Sequence, residues 1–497
     1  MTEKQGKVWL VGAGPFDPGL ITVKGLNVLK NADVVVYDKL VGVEILNFIS
    51  STAKKINVGK QSLNHIVPQD EINKILLEEA MKGNNVVRLK GGDPFLFGRG
   101  GEELELLAKH HIPFEVIPGI TSAISVPAYA GIPVTHRDFC SSLHIITGHT
   151  KLQEEPNMDF EALVKLKGTL AFLMSVSSIG SICNGLLKAG MSVDMPCAVI
   201  EQGTSSRQRK VLSTLQMLPN EATDKKIKAP AIIIIGEVCS LSEDFEWVTK
   251  RPLHGKRIIV TRAENQCSTL SEKIRSLGGE SIEFPCIKAI PIQDDQLLQE
   301  AIENISSYHW VVFTSAIGAE FFFKNLMSTD KDIRALYNHK IAVIGKGTQQ
   351  IFSQRDIKID LIPENYNAKS LAFALCDKVV SNENVLILRA KDGTPDLIEI
   401  LSQNKIQYLD VPVYETIYSC EDYPFSREVI ESGDFDLVTF TSASTVQGFV
   451  NTLPSLDFKK ITAICIGEQT EIEAKKYGMK TIVSKESTID SLVEAMI

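Results

Sequence analysis

The chain has 497 residues, too many for one ordinary hydrophobic core, so two or more domains are expected. Charged residues make up 23% and hydrophobic ones 44%, the balance of a globular protein in water. The net charge of −9 argues against a nucleic-acid partner, because a phosphate backbone calls for a basic face. No apolar run approaches the ~18 residues that a membrane span needs. Met1-Thr-Glu-Lys-Gln-Gly-Lys7 leads straight into an apolar strand, without the pattern of a secretory leader. The nine cysteines contain no Cys-x-x-Cys pair, which points away from a zinc site or disulfide framework. A cytoplasmic protein without metal is expected.

In chain order, Val8-Trp-Leu-Val-Gly12 reads as a strand that breaks into Ala13-Gly-Pro-Phe-Asp-Pro-Gly19, and Ala32-Asp-Val-Val-Val-Tyr-Asp38 as a second strand. Val87-Arg-Leu-Lys90 is a third, running into Gly91-Gly-Asp-Pro-Phe-Leu-Phe-Gly-Arg-Gly-Gly101. Glu102-Glu-Leu-Glu-Leu-Leu107 then has the acid-rich first turn of a helix. Ile117-Pro-Gly-Ile-Thr-Ser-Ala123 predicts another turn, and Ala231–Ile235 another strand. Residues 241–254 read as a polar connector between domains 1–240 and 255–497, and the first domain as lobes of about 1–117 and 118–240. Lys256-Arg-Ile-Ile-Val-Thr-Arg262 opens a fresh strand. Apolar β-rich runs alternate with amphipathic helical stretches throughout, which predicts α/β architecture with largely parallel sheets.

The second half repeats internally. Ile259-Val-Thr-Arg-Ala263 is echoed by Ile387-Leu-Arg-Ala390, and Val311-Val-Phe-Thr-Ser-Ala316 by Val438-Thr-Phe-Thr-Ser-Ala443. Ile341-Ala-Val-Ile-Gly-Lys-Gly-Thr348 matches Ile464-Cys-Ile-Gly-Glu-Gln-Thr470. The spacing of about 125 residues predicts two similar α/β lobes.

Gly12-Ala-Gly-Pro-Phe-Asp-Pro-Gly19 invites a dinucleotide-binding reading, with Asp38 where a ribose-binding acid belongs. Against it, Asp17 replaces the third fingerprint glycine, and Pro15 and Pro18 interrupt the loop where a helix N-terminus should open toward a pyrophosphate. The glycine-dense 91–101 run lets backbone groups approach a ligand that a Cβ would keep away.

That run, with the 8–20, 32–38, 58–60, 117–123, Gly131-Ile-Pro-Val-Thr-His-Arg137 and Pro230–Val238 segments, closely resembles the signature of the tetrapyrrole methylases over roughly 230 residues. The resemblance implies a two-lobed methylase fold and S-adenosylmethionine contacts at Pro15, Gly91, Gly92, Asp93, Leu96, Thr121, Ser122, Met174 and Gly203. It also implies Asp38 as proton acceptor, Lys60 as proton donor, and a homodimer. Read alone, Asp38 fits a helix cap, Lys60 a solvated surface position and Met174 core filling. Relatives place a glycine after that methionine where this chain has Ser175. The implied substrate, uroporphyrinogen III, carries eight carboxylates, so Arg88, Lys90, Arg99, His136 and Arg137 are candidate partners, with His65 a candidate lining residue.

Residues 255–497 resemble uroporphyrinogen-III synthase, through Val260-Thr-Arg262, the two Thr-Ser-Ala turns, Leu386-Ile-Leu-Arg389 and Val411-Pro-Val-Tyr-Glu-Thr416. This implies a pair of flavodoxin-like lobes, 255–288 with 415–497 and 291–411, joined by a two-stranded hinge. It implies Tyr414 as the residue that assists loss of a hydroxyl from hydroxymethylbilane. Arg262, Thr314, Ser315, Thr441 and Ser442 are candidate carboxylate partners, with Arg389 and Lys391 as countercharge. The serine and threonine turns fit helix N-capping equally well. Together the halves imply a bifunctional enzyme that makes uroporphyrinogen III and methylates it twice to precorrin-2. The alternatives are a methylase acting on a later corrin intermediate, and a C-terminal half that carries substrate without catalysing.

Overall fold

A computed structural model describes residues 5–59, 67–148, 158–262, 264–293, 295–418 and 423–497. Among the described residues the N-terminal half holds ten strands: β1 (Lys7–Gly12), β2 (Val34–Tyr37), β3 (Lys54–Asn57), β4 (Asn85–Lys90), β5 (Phe114–Ile117), β6 (Leu143–Thr147), β7 (Thr169–Leu173), β8 (Pro196–Glu201), β9 (Arg209–Thr214) and β10 (Ala231–Ile235). The C-terminal half adds β11 (Arg257–Val260), β12 (Glu280–Glu283), β13 (Ile287–Pro291), β14 (Trp310–Phe313), β15 (Lys340–Val343), β16 (Val385–Ala390), β17 (Tyr408–Tyr418), β18 (Leu437–Phe440), β19 (Thr462–Cys465) and β20 (Lys480–Val483).

The first sheet is parallel, in the order β3-β2-β4-β1-β5. Helices cover both faces, so its strands are continuous apolar runs: Val11, Val35, Val87 and Leu89 pack on one side and Val8, Leu10, Val34, Val36 and Val86 on the other. The chain crosses from β1 over β4 to β2 and later returns to β5. This reversal of winding opens a crevice at the carboxyl ends of β1 and β4. The second sheet, β6-β7-β10-β8-β9, is mixed, with β10 antiparallel to both β7 and β8.

The C-terminal half forms two further five-stranded sheets, β12-β11-β18-β19-β20 and β13-β17-β16-β14-β15. The sequence repeat is spatial as well. β11, β18 and β19 occupy the same relative places in one sheet as β16, β14 and β15 in the other.

By compactness the chain divides into two units, residues 1–284 with 420–447 and 453–497, and residues 285–419 with 448–452. The two segments expected to form the hinge, 285–292 and 411–417, lie in the second unit, where β13 pairs antiparallel with β17. The first unit joins the N-terminal half to the lobe built on β11. Residues 241–254, expected as a polar connector, are packed instead. Trp247 Nε1 donates to the Ala128 carbonyl at 2.9 Å, Ser242 Oγ to that of Ala130 at 2.6 Å, and Leu253 is fully buried. Ser242, Val248 and Leu253 bury while Phe245 and Trp247 stay exposed, a division that average composition conceals.

Candidate active sites

The crevice of the first sheet is built by glycines at close quarters. Gly14 and Gly92 exchange backbone hydrogen bonds, at 3.1 Å to the Gly92 carbonyl and 2.7 Å to that of Gly14. A Cβ on Gly12 would stand 2.4 Å from Gly119 N, and one on Gly119 2.2 Å from the Gly92 oxygen. The loops after β1, β4 and β5 thus interlock with no room for a side chain. Gly92 has φ +69°, and a Cβ there would meet nothing nearer than Ser122 N at 3.9 Å, so the missing side chain leaves open space at the crevice.

Asp93 holds this arrangement together. Its Oδ1 accepts the Phe95 and Leu96 N–H groups at 2.8 and 3.1 Å, and its Oδ2 the Gly119 N–H at 3.0 Å. Thr121 caps the helix Ser122–Tyr129, accepting from Ala123 N at 3.3 Å. Gly203 presses on this helix, since a Cβ there would stand 2.3 Å from Val126 Cγ1. The adjoining Thr204 Oγ1 accepts the Asp17 N–H at 3.3 Å, while Tyr129 Oη donates to Asp17 Oδ2 at 2.6 Å. This Asp17–Tyr129–Thr204 latch ties the loop bearing Pro15 to the second sheet. Sequence reasoning saw only that Asp17 broke a glycine fingerprint.

Met174 follows β7 at φ +55° with 47% of its surface exposed, which excludes simple core filling. Ser175 takes φ −117°, is fully buried and donates to the Leu173 carbonyl at 2.8 Å. The left-handed residue is the methionine, so the position that relatives fill with glycine needs none here. Contacts among Gly12, Gly14, Gly92, Asp93, Leu96 and Gly119 bring these loops together, and Leu173, the neighbour of Met174, shares a core with Ala123 and Val126. Open space at Gly92, backbone at a glycine turn and an exposed thioether fit an elongated, uncharged-ring ligand such as an adenosyl sulfonium.

The strand β4 brings two cations into the interior. Arg88 and Lys90 are 3% and 5% exposed, and the fully buried Glu103 meets both: Oε1 accepts from Arg88 Nε at 3.1 Å and Lys90 Nζ at 2.8 Å. Gln69 Nε2 donates to the same oxygen at 3.2 Å. Burial first, and then the neighbouring Arg88, lower the Lys90 pKa despite Glu103. Arg88 Nη2 also stands 3.4 Å from Asp38 Oδ2, just past β2. Arg88 and Lys90, expected among the carboxylate-binding cations, are thus committed to Glu103 and to Asp38. A cation pair two residues apart on one strand face is the signal that a buried acid must answer it.

Arg99 is the exposed left-handed residue before the helix Gly100–Lys109 and is bidentate with Glu102. Arg137 is exposed, and His136 Nδ1 accepts the Asp138 N–H at 3.3 Å. Lys60 and His65 lie outside the described residues.

In the second unit, Ser315 caps the helix Ala316–Leu326. Its Oγ accepts the Gly318 N–H at 2.9 Å and the Tyr414 hydroxyl at 3.1 Å. Having accepted twice, Ser315 keeps its own hydrogen for another partner. Tyr414 is 8% exposed, stacks on Phe321 at 5.9 Å, and burial raises its pKa above the usual phenol value. Pro412, which has no N–H to give, precedes it where the β16–β17 register shifts opposite Arg389 and Ala390. Arg389 does not supply free countercharge: it is bidentate with Asp410 at 2.8 Å and donates to the Gly393 and Thr394 carbonyls. Lys391 pairs with Glu415 at 3.0 Å. Thr314 lies at the carboxyl end of β14. In the first unit, Thr441 and Ser442 follow β18, where Ser442 and Thr445 cap one another at 3.2 Å, and half-buried Arg262 follows β11.

Residues 7–219 match the family model for tetrapyrrole (corrin/porphyrin) methylases and residues 268–494 that for uroporphyrinogen-III synthase. A porphyrin biosynthesis protein of Ruminiclostridium josui is 47% identical over 99% of this chain and 98% of its own length. The uroporphyrinogen-III C-methyltransferase of Bacillus subtilis is 43% identical over 68% of this chain and 69% of its own. The S-adenosyl-L-methionine-dependent uroporphyrinogen III methyltransferase of Methanosarcina barkeri is 50% identical over 49% of this chain and 96% of its own. Among solved structures, a uroporphyrin III C-methyltransferase from Thermus thermophilus shares 36% identity over 47% of this chain and 93% of its own, with a TM-score of 0.41. With a relative this similar along nearly its whole length, the chain belongs to the family in which a tetrapyrrole methylase and a uroporphyrinogen-III synthase are fused into one enzyme.

Proposed function

We propose that the C-terminal half cyclises hydroxymethylbilane to uroporphyrinogen III with inversion of the last ring, and that the N-terminal half methylates this product twice to precorrin-2. The observation that carries the reading is that one chain pairs a glycine-walled crevice, flanked by Asp38, and an exposed Met174 with a synthase whose product is the methylase substrate.

S-adenosylmethionine, bound by Pro15, Gly91–Asp93, Leu96, Thr121, Ser122, Met174 and Gly203, supplies an electrophilic methyl. The pyrrole carbon is itself the nucleophile, so the protein's task is alignment and removal of a proton. Asp38 accepts that proton. Arg88 stands 3.4 Å from it, and Glu103 keeps Arg88 in place. Lys60 acts as proton donor, while Arg99 and Arg137 meet substrate carboxylates. In the synthase half, Tyr414 and Ser315 form a donor pair that assists loss of the hydroxyl as water. Thr314, Thr441, Ser442 and Arg262 bind carboxylates. The protein acts in the cytoplasm as a homodimer through its methylase half, and precorrin-2 feeds siroheme or cobalamin. No helix among the described residues is long and apolar enough to cross a membrane.

The test supplies purified protein with hydroxymethylbilane, with and without S-adenosylmethionine, and separates products by chromatography and mass. Isomer III alone, shifting to a doubly methylated product when the donor is added, is the expected result. Spontaneous isomer I in the first tube would refute the synthase reading, and absence of methylation of added isomer III the methylase reading.

A further inference from the structure

Asp38 sits in a short segment held at both ends by the first synthase lobe. On one side, Tyr37, the last residue of β2, meets the ring of Phe425 edge-on, with centroids 5.4 Å apart at 87°. Phe425 belongs to the helix Pro424–Glu431, yet packs against the methylase core around Val35, Tyr37 and Val41. Next to it, Ser426 is fully buried and accepts a hydrogen bond from Asn47 Nδ2 at 3.0 Å.

On the other side stands Glu44, 8% exposed in the helical turn Val43–Leu46. Its Oε1 accepts the Ser281 N–H at 2.7 Å and the Ser281 hydroxyl at 3.2 Å, and its Oε2 accepts from Arg275 Nη1 at 3.1 Å. Ser281 lies on β12 and Arg275 on the helix Glu264–Ser276, both in the synthase lobe. Between these anchors the turn is tight. Leu40 N–H donates to Asp38 Oδ1 at 3.1 Å, and a Cβ on Gly42 would stand 2.8 Å from the Phe16 carbonyl oxygen.

We propose that the first synthase lobe is a working part of the methylase site: Phe425 and Glu44 clamp the two ends of segment 37–44 and are positioning residues for Asp38. The proposal rests on Asp38 being the proton acceptor. A half-buried edge-on ring and a buried acid with three protein donors fix a short turn more tightly than surface contacts do. Displacing a reacting group by about 1 Å costs on the order of 100-fold in rate.

The test uses the full-length protein with supplied uroporphyrinogen III. Phe425→Ala and Glu44→Ala should each lower kcat for methyl transfer by roughly 10-fold, with the KM for S-adenosylmethionine within about two-fold of the parent. Synthase activity of the same preparations should persist, showing the lobe folded. Phe425→Trp, which restores a ring edge, and Glu44→Gln, which keeps an acceptor for Ser281, should recover most of the loss. Should Phe425→Ala fail to fold, Phe425→Leu keeps apolar volume without the ring edge and reads out the same loss. Unchanged kcat in both truncations, beside an inactive Asp38→Asn control, would overturn the clamp. An active Asp38→Asn variant would instead overturn the proton-acceptor reading on which it rests.

Discussion

Glu103→Gln removes one charge from the interior and leaves the shape almost intact, so it isolates the electrostatic task of that residue. Arg88 and Lys90 would remain buried with no anion but the partly exposed Asp38. At contacts of 2.8 and 3.1 Å and an effective dielectric of about 20, each lost attraction is worth roughly 5 kcal/mol before compensation. The glutamine amide returns neutral hydrogen bonds, and Lys90 sheds its proton more readily, its pKa being lowered already. The net cost should therefore fall near the 3–5 kcal/mol typical of a broken buried pair. For a domain of this size that is a drop of about 10 °C in the methylase unfolding midpoint, followed by calorimetry of the whole chain. The sign of the pH effect follows from Lys90. Its folded pKa lies below its unfolded value, so the stability it withholds when protonated returns as pH rises. The deficit of the variant should shrink between pH 7 and 10. Lys90→Met in the Glu103→Gln background should recover about half. A midpoint shift under about 2 °C, or a deficit that grows with pH, would refute the reasoning.

Burial, opposed by the pull of Arg275 and reinforced by Glu280, pushes the Glu44 carboxyl up to about 8. A raised pKa withdraws stability as pH climbs from the ordinary carboxylate range through 8, so docking of the synthase lobe should weaken over that interval. Glu44→Gln should flatten the dependence in hydrogen exchange at Ser281. Gly119→Ala should prevent the crevice from forming, because its Cβ would lie 2.2 Å from backbone oxygen. Gly92→Ala should cost only about 1–2 kcal/mol of left-handed strain yet still weaken S-adenosylmethionine binding in calorimetric titration. Tyr414→Phe keeps the stack on Phe321 and loses one hydrogen bond to Ser315, about 1 kcal/mol of stability. Synthase kcat should fall at least ten-fold, and an unchanged value would remove Tyr414 from the chemistry.

Much of this protein was legible in its sequence because local chemistry is local. Glycine runs after apolar strands marked turns where backbone groups come close, and the motif set marked both halves of the enzyme. The repeat of strand and Thr-Ser-Ala turn likewise foretold two lobes, since each copy needs the same strand-to-helix geometry. What the tertiary structure decided is where charge goes. Arg88, Lys90 and Arg389 look in sequence like cations awaiting an anionic substrate, but burial makes an internal partner obligatory for the first two, which Glu103 supplies, and Asp410 holds the partly exposed Arg389. Position along the chain is equally silent about Glu44 and Phe425. Their partners lie hundreds of residues away, and only folding brings the synthase lobe against the turn that carries Asp38.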